Sequence, residues 1–282
     1  MDIGTGKVTK KEQKIIKHYL LDMVNPKKVF TVSDFKKLGE KAIKEIKNKN
    51  KVPFIVGGTG FYIDALLGRT SIAEVPPDKK LRARFDKLTV EHLFKMLKKL
   101  DPQRARTIDP KNKRRLIRAL EIIKTTGKPV PKLVSSMKYQ VLWLGLKPKN
   151  LEQRVKLRLE KRLKQGMIKE VKNLLKSGVS KKRLYDLGLE YRQISEYLAS
   201  KKHAPYGSGA SRSGFKVKSV KNFEKSEYHL KLLREIIGYS KRQITWFKKN
   251  KNINWLAPSE VDEVKGRQEA EKLIGKFISP LG

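Results

Sequence analysis

The run Val52-Pro53-Phe54-Ile55-Val56-Gly57-Gly58-Thr59-Gly60-Phe61-Tyr62 decides the fold. Val52 to Val56 is a short apolar run leading directly into glycines, which predicts a buried strand turning at Gly57–Gly60 into a helix over Phe61 to Leu67. Upstream, Phe35, Leu38, Ala42, Ile43 and Ile46 share one helical face of residues 33–48, and Lys47 to Lys51 form a basic connector into the strand. Helix, strand, glycine turn and helix in that order predict an α/β core whose ligands lie beyond the strand's carboxyl end.

Downstream, Pro76-Pro77-Asp78 marks a boundary. Residues 79–128 then carry helical periodicity throughout, through Leu93, Met96, Leu97 and Leu100, a break at Pro102, and Leu116 to Ile123, with Gly127 as the stop. Tyr139 to Leu146 is a second strand candidate, so the helical block reads as an insertion between two strands of one sheet. Residues 151–175 predict one long helix with Leu151, Val155, Leu159, Leu163 and Ile168 inward, ending at Ser177-Gly178. Residues 201–222, rich in Gly, Ser and Lys, lack periodicity and read as a flexible basic loop; a helix resumes over Tyr228 to Lys249. The resulting division is a core of 1–73 and 139–282 and a helical insertion of 74–138.

The chain has 282 residues, and 67 Lys+Arg against 28 Asp+Glu give a formal net charge of +39. At 38% hydrophobic residues it can close a core, which excludes a disordered tail. The absence of cysteine removes disulfides, thiolate metal clusters and a thiol nucleophile, and four histidines (His18, His92, His203, His229) leave little for a histidine metal site. No run approaches the eighteen or so apolar residues of a membrane span, and no apolar signal core opens the chain. It reads as cytoplasmic and without a membrane partner. A charge of this size opposes compaction unless a polyanion or a dense counterion shell meets it, and nucleic acid is the common partner.

Four motifs carry chemistry. Gly4-Thr5-Gly6-Lys7 resembles the end of a phosphate-binding loop but is rejected as one, because Val8 follows Lys7 and no strand precedes. The Gly57–Gly60 turn admits two readings: backbone amides and the Thr59 hydroxyl gripping an anion, or simply a tight strand-to-helix turn. Arg154, Arg158 and Arg162 recur every four residues, a stripe fit for a diphosphate or an RNA backbone, or a solvated face. The same alternatives hold for Arg114, Arg115 and Arg118. Lys241-Arg242-Gln243-Ile244-Thr245-Trp246-Phe247 sets aromatic beside basic residues, as base stacking with phosphate contact requires.

In their order these pieces resemble the bacterial tRNA dimethylallyltransferase family, end to end. The resemblance runs through Met1 to Lys7, His18 to Asp22, Val32 to Phe35, Val56 to Tyr62 with Ala65-Leu66-Leu67, Asp101-Pro102, Arg115 to Glu121 and Thr126-Gly127. It continues through Arg154 and Arg158, Gly166, Glu170-Val171, Tyr191-Arg192-Gln193, and Lys241 to Trp246. It implies a P-loop-NTPase-like parallel sheet with a helical insertion domain, and transfer of a dimethylallyl group from dimethylallyl diphosphate to N6 of the adenosine 3′ to the anticodon, position 37, of tRNA. By resemblance, Thr59 and Arg158 are catalytic, and Gly57, Gly58, Thr59, Arg154 and Arg158 hold the diphosphate. Arg82, Arg114, Arg115, Arg118, Tyr191, Arg192, Lys241, Arg242 and Gln243 fall where the family touches the anticodon stem-loop. Mg²⁺ on the diphosphate and a monomeric state are also implied.

The family opens with a strand–P-loop–helix unit and a second strand bearing the presumed general-base aspartate, for which these residues offer no counterpart. Tyr19 stands for one of a family histidine pair, and Glu190 for a customary glycine. The resemblance therefore implies an N-terminal unit absent from this sequence and little or no transferase activity. Two further functions remain compatible: an RNA-binding protein without catalysis, and an adenylate prenyltransferase, for which a charge of +39 would have no use.

Overall fold

The computed structural model describes residues 1–70, 72–131, 137, 139–200, 220–256 and 263–279. The chain forms two compact units: one of residues 1–30, 56–60 and 141–282, the other of 31–55 and 61–140. In the first, the short helix α1 (Lys10–Ile15) starts on a capping box, Thr9 and Glu12 exchanging bonds with each other's backbone amides.

The second unit is helical: α2 (Val32–Lys47), most of α3 (Gly60–Leu66), α4 (Lys79–Asp86), α5 (Val90–Leu100), α6 (Pro102–Thr107) and α7 (Lys113–Thr126). Side-chain caps from Thr31, Asp78, Thr89, Asp101 and Asn112 satisfy the opening amides. Gly127, at φ +67°, closes α7 in the left-handed region. Leu93 and Leu97 of α5 interlock with Leu116 and Leu120 of α7, all fully buried, around Phe85 and Ile108. Leu66 of α3 presses on Gly39 of α2, and the Phe35 and Tyr62 rings lie 5.1 Å apart. Residues 74–138 fall wholly within this unit, and their described elements are all helices.

The first unit continues with β1 (Trp143–Leu146), α8 (Leu151–Lys164), α9 (Met167–Lys176), α10 (Lys181–Leu187), α11 (Leu189–Ala199), α12 (Val220–Glu224), α13 (Glu227–Phe247), β2 (Ile253–Leu256) and α14 (Glu263–Ile278). β1 and β2 pair in parallel, Trp143 opposite Ile253 and Leu146 opposite Leu256. The core of α8, α9, α11, α12 and α13 closes on Leu159, Leu163, Met167, Ile194, Tyr197, Phe223 and Leu232.

Several sequence expectations need correction. Residues 52–56 form no strand: they have no ladder partner among the described residues, and Phe54 is 63% and Val56 92% exposed. Apolar character sets what a strand prefers to bury, whereas pairing needs a neighbour. The described sheet is instead β1 with β2, whose INWL sequence is too short to stand out, so the helical block is not enclosed by its strands. The expected single helix over 151–175 is two, because Gly166 at φ +100° breaks the helical path between α8 and α9. Of the loop expected at 201–222, residues 201–219 lie outside the described residues, and Val220 already opens α12.

Candidate active site and RNA-facing residues

The glycine turn lies against α13. A methyl group on Gly60 would overlap the Trp246 indole, so that glycine is required by close approach, and one on Gly58 would displace the end of the Gln243 side chain, whose amide now fills that space. Gly57 has open space around it. Thr59 is exposed, with no hydrogen-bond partner for its hydroxyl among the described residues. The helix it precedes, α3, has seven residues and lends little macrodipole, so the turn's capacity for an anion rests on its amides and Thr59.

On α8 the arginine stripe is not uniform. Arg162 donates to the Gly4 carbonyl (3.3 Å) and to the Glu190 carboxylate (3.2 Å), and is committed to the fold. Arg154 is half-buried and Arg158 exposed along most of its length. The Arg158 pKa is lowered, by desolvation of its charged end and then by Arg162 beside it, with Glu190 pulling the other way. A cation short of solvation and pressed by a like charge is one an arriving anion relieves. Glu190 is 8% exposed, and desolvation raises its pKa against the attraction of Arg162 and Arg158.

The opening segment is fixed by Glu170 of α9. Its carboxylate accepts the amides of Asp2 (2.6 Å), Ile3 (2.9 Å) and Gly4 (3.1 Å) and the Tyr191 hydroxyl (2.8 Å). Desolvation raises the Glu170 pKa, and these four donors more than reverse it, leaving the group below the usual glutamate value. Gly4 lies against the hydroxyl end of the Tyr191 ring, where a methyl group would come within 2.7 Å. Lys7 reaches Asp22 (2.6 Å) and Asp2. Gly4-Thr5-Gly6-Lys7 is thus a closed loop tied to α8, α9 and α11.

The RNA-facing residues expected from sequence divide into two groups. Tyr191 is buried, its hydroxyl spent on Glu170. Arg192 pairs with Glu235 (2.8 Å) and sits 5.3 Å over the Tyr185 ring. Gln243 turns toward Gly58, whereas Lys241 (paired with Glu152 at 2.6 Å) and Arg242 are exposed on α13. In the second unit Arg82 grips the fully buried Glu121 with two bonds of 2.7 Å, and Arg118 adds a third of 2.6 Å while bonding the Ala73 and Val75 carbonyls. Arg114 and Arg115, one turn earlier, are exposed.

Sequence reasoning assigned no role to Glu121, Glu170 or Glu190. A signal existed: with 28 acids against 67 bases, a carboxylate on the apolar side of a helix stands out, as Glu170 does between Met167 and Val171. For the implied Mg²⁺, no group of three or more His, Asp or Glu among the described residues could hold a metal ion.

The turn offers backbone amides and a hydroxyl, α8 offers Arg154 and Arg158, and α13 exposes Lys241 and Arg242, donor types suited to phosphate oxygens. The chain matches the IPP transferase family over residues 1–250, and it belongs to that family. The tRNA dimethylallyltransferase of Thermoanaerobacter sp. (strain X514) is 33% identical, covering 99% of this chain and 85% of that protein. That of Halalkalibacterium halodurans is 32% identical over 97% of this chain and 84% of its own length. Among solved structures, the tRNA isopentenylpyrophosphate transferase of Bacillus halodurans superposes with a TM-score of 0.61 at 28% identity, covering all of this chain and 86% of the other. A eukaryotic dimethylallyltransferase acting on tRNA shares the fold at TM-score 0.76 and 20% identity, over 99% and 70% of the two chains.

Proposed function

We propose that this chain is a tRNA dimethylallyltransferase, moving the dimethylallyl group of dimethylallyl diphosphate to N6 of the adenosine at position 37. The observation that carries this is the match to curated tRNA dimethylallyltransferases across 99% of the chain. In the reaction the allylic carbon–oxygen bond of the donor breaks, its electron pair leaving with the diphosphate. The adenine nitrogen forms the new carbon–nitrogen bond and gives up its proton to solvent water. Leaving-group charge is the main obstacle, and donors aimed at it lower the barrier. Arg158 and the Thr59 hydroxyl supply such donors, with Arg154 one turn before Arg158. The target adenine must leave its stack to reach the donor. Exposed Lys241 and Arg242, and separately Arg114 and Arg115, would hold RNA phosphates; Tyr191, Arg82 and Arg118 would act through the backbone they fix. The test is to incubate the chain with tRNA and dimethylallyl diphosphate, digest the RNA, and identify nucleosides by mass spectrometry. Prenylated adenosine is expected from the family match, in place of the little or no activity that the motif comparison alone implies; RNA binding without product would favour the non-catalytic RNA-binding reading.

A further inference from the structure

We infer that Gln243 and Trp246 are positioning residues for the Gly57–Gly60 turn, so that one helix carries RNA contacts on one side and the donor turn on the other. This rests on the proposed reaction. Residues three apart share a helix face, and Gln243 extends the buried stripe of Leu232, Ile236 and Ser240 along α13. Lys241, two residues before Gln243 and so about 200° around the helix from it, is exposed and pairs with Glu152 instead. The Gln243 amide occupies the space of a side chain at Gly58, and the Trp246 indole that at Gly60.

The two contacts flank Thr59. A threonine between glycines would otherwise range over many backbone conformations, because glycine opposes few of them. Held at both neighbours, its hydroxyl is ordered before the donor arrives, and the reaction escapes that entropic cost. Gln243 therefore leaves the set of RNA contacts, where its place beside Lys241 and Arg242 had put it, and serves the donor.

A size exchange tests this. Gly58→Ala should lower kcat/KM for dimethylallyl diphosphate about tenfold by displacing the Gln243 amide from the turn it holds. Adding Gln243→Ala should cost little beyond that, since the amide it removes is already displaced. Gln243→Ala alone, which only removes atoms, should impair donor use by a similar factor while its affinity for an anticodon stem-loop in filter binding stays within about twofold. Weakened stem-loop binding with unchanged donor kinetics would return Gln243 to the RNA surface. Losses that simply multiply in the double variant would show that residues 58 and 243 do not meet. If the unmodified chain fails to prenylate, the reading of the reaction falls, and calorimetric affinity for inorganic pyrophosphate across the same three variants decides the positioning role. Equal affinities in all of them would overturn it.

Discussion

A fully buried glutamate in a chain this basic cannot stand alone, and Glu121 has three donors: Arg82, Arg118 and the Asp78 amide. Desolvation pushes its pKa up and these partners more than compensate, so the folded value lies below the usual 4.5. Glu170 follows the same pattern. A carboxylate with a depressed folded pKa contributes stability that is complete above the unfolded value and lost as pH falls through the folded one. Urea midpoints should therefore fall steadily as pH drops below about 4.5. Glu190, raised by desolvation, has the opposite sign and costs stability as pH rises past that value. Glu121→Gln keeps the shape and leaves two guanidinium groups facing a neutral amide. It should cost about 3 kcal/mol by chemical denaturation and flatten the acid limb of the profile. The same cost at pH 7 with an unchanged acid limb would place the titrating group elsewhere.

At the scale of elements, the helices of residues 79–128 were legible because caps, spacing and stops agree: Asp78, Thr89, Asp101-Pro102 and Asn112 each open one, and Gly127 closes the last. Residues 52–56 have a strand's composition and no strand's pairing, because hydrophobic spacing says nothing about which segment lies alongside. Within the site, the turn and the arginine stripe were visible as residue types. That Arg162 is spent on Glu190 while Arg158 is not depends on a carboxylate 28 positions away in α11, which spacing along α8 cannot reveal. Gly166 sits inside a continuous apolar pattern, yet its φ of +100° separates α8 from α9. Gly166→Ala should destabilise the chain by about 1–2 kcal/mol, read as a melting temperature lower by several degrees. An unchanged melting curve would mean that α8 and α9 can run on as one helix.

For the whole molecule, a formal charge of +39 makes RNA affinity a matter of counterions. Binding of an anticodon stem-loop should weaken more than tenfold between 50 and 200 mM salt, with log Kd linear in log salt. Replacing Lys241 and Arg242 by Gln should shallow that slope, and replacing Arg82 should not, because its guanidinium already belongs to Glu121. An equal change from both would put Arg82 on the RNA.

The apolar stretch from Val52 to Val56 lies open to solvent in a protein whose copies repel one another strongly. At low ionic strength that repulsion acts over tens of ångströms and keeps such stretches from meeting; near 1 M salt its reach shrinks to about 3 Å. The brine that strips nucleic acid from the purified chain would then leave it prone to clumping. Light scattering should climb with salt, and Phe54→Lys, which puts a charge in the middle of the sticky stretch, should hold it down.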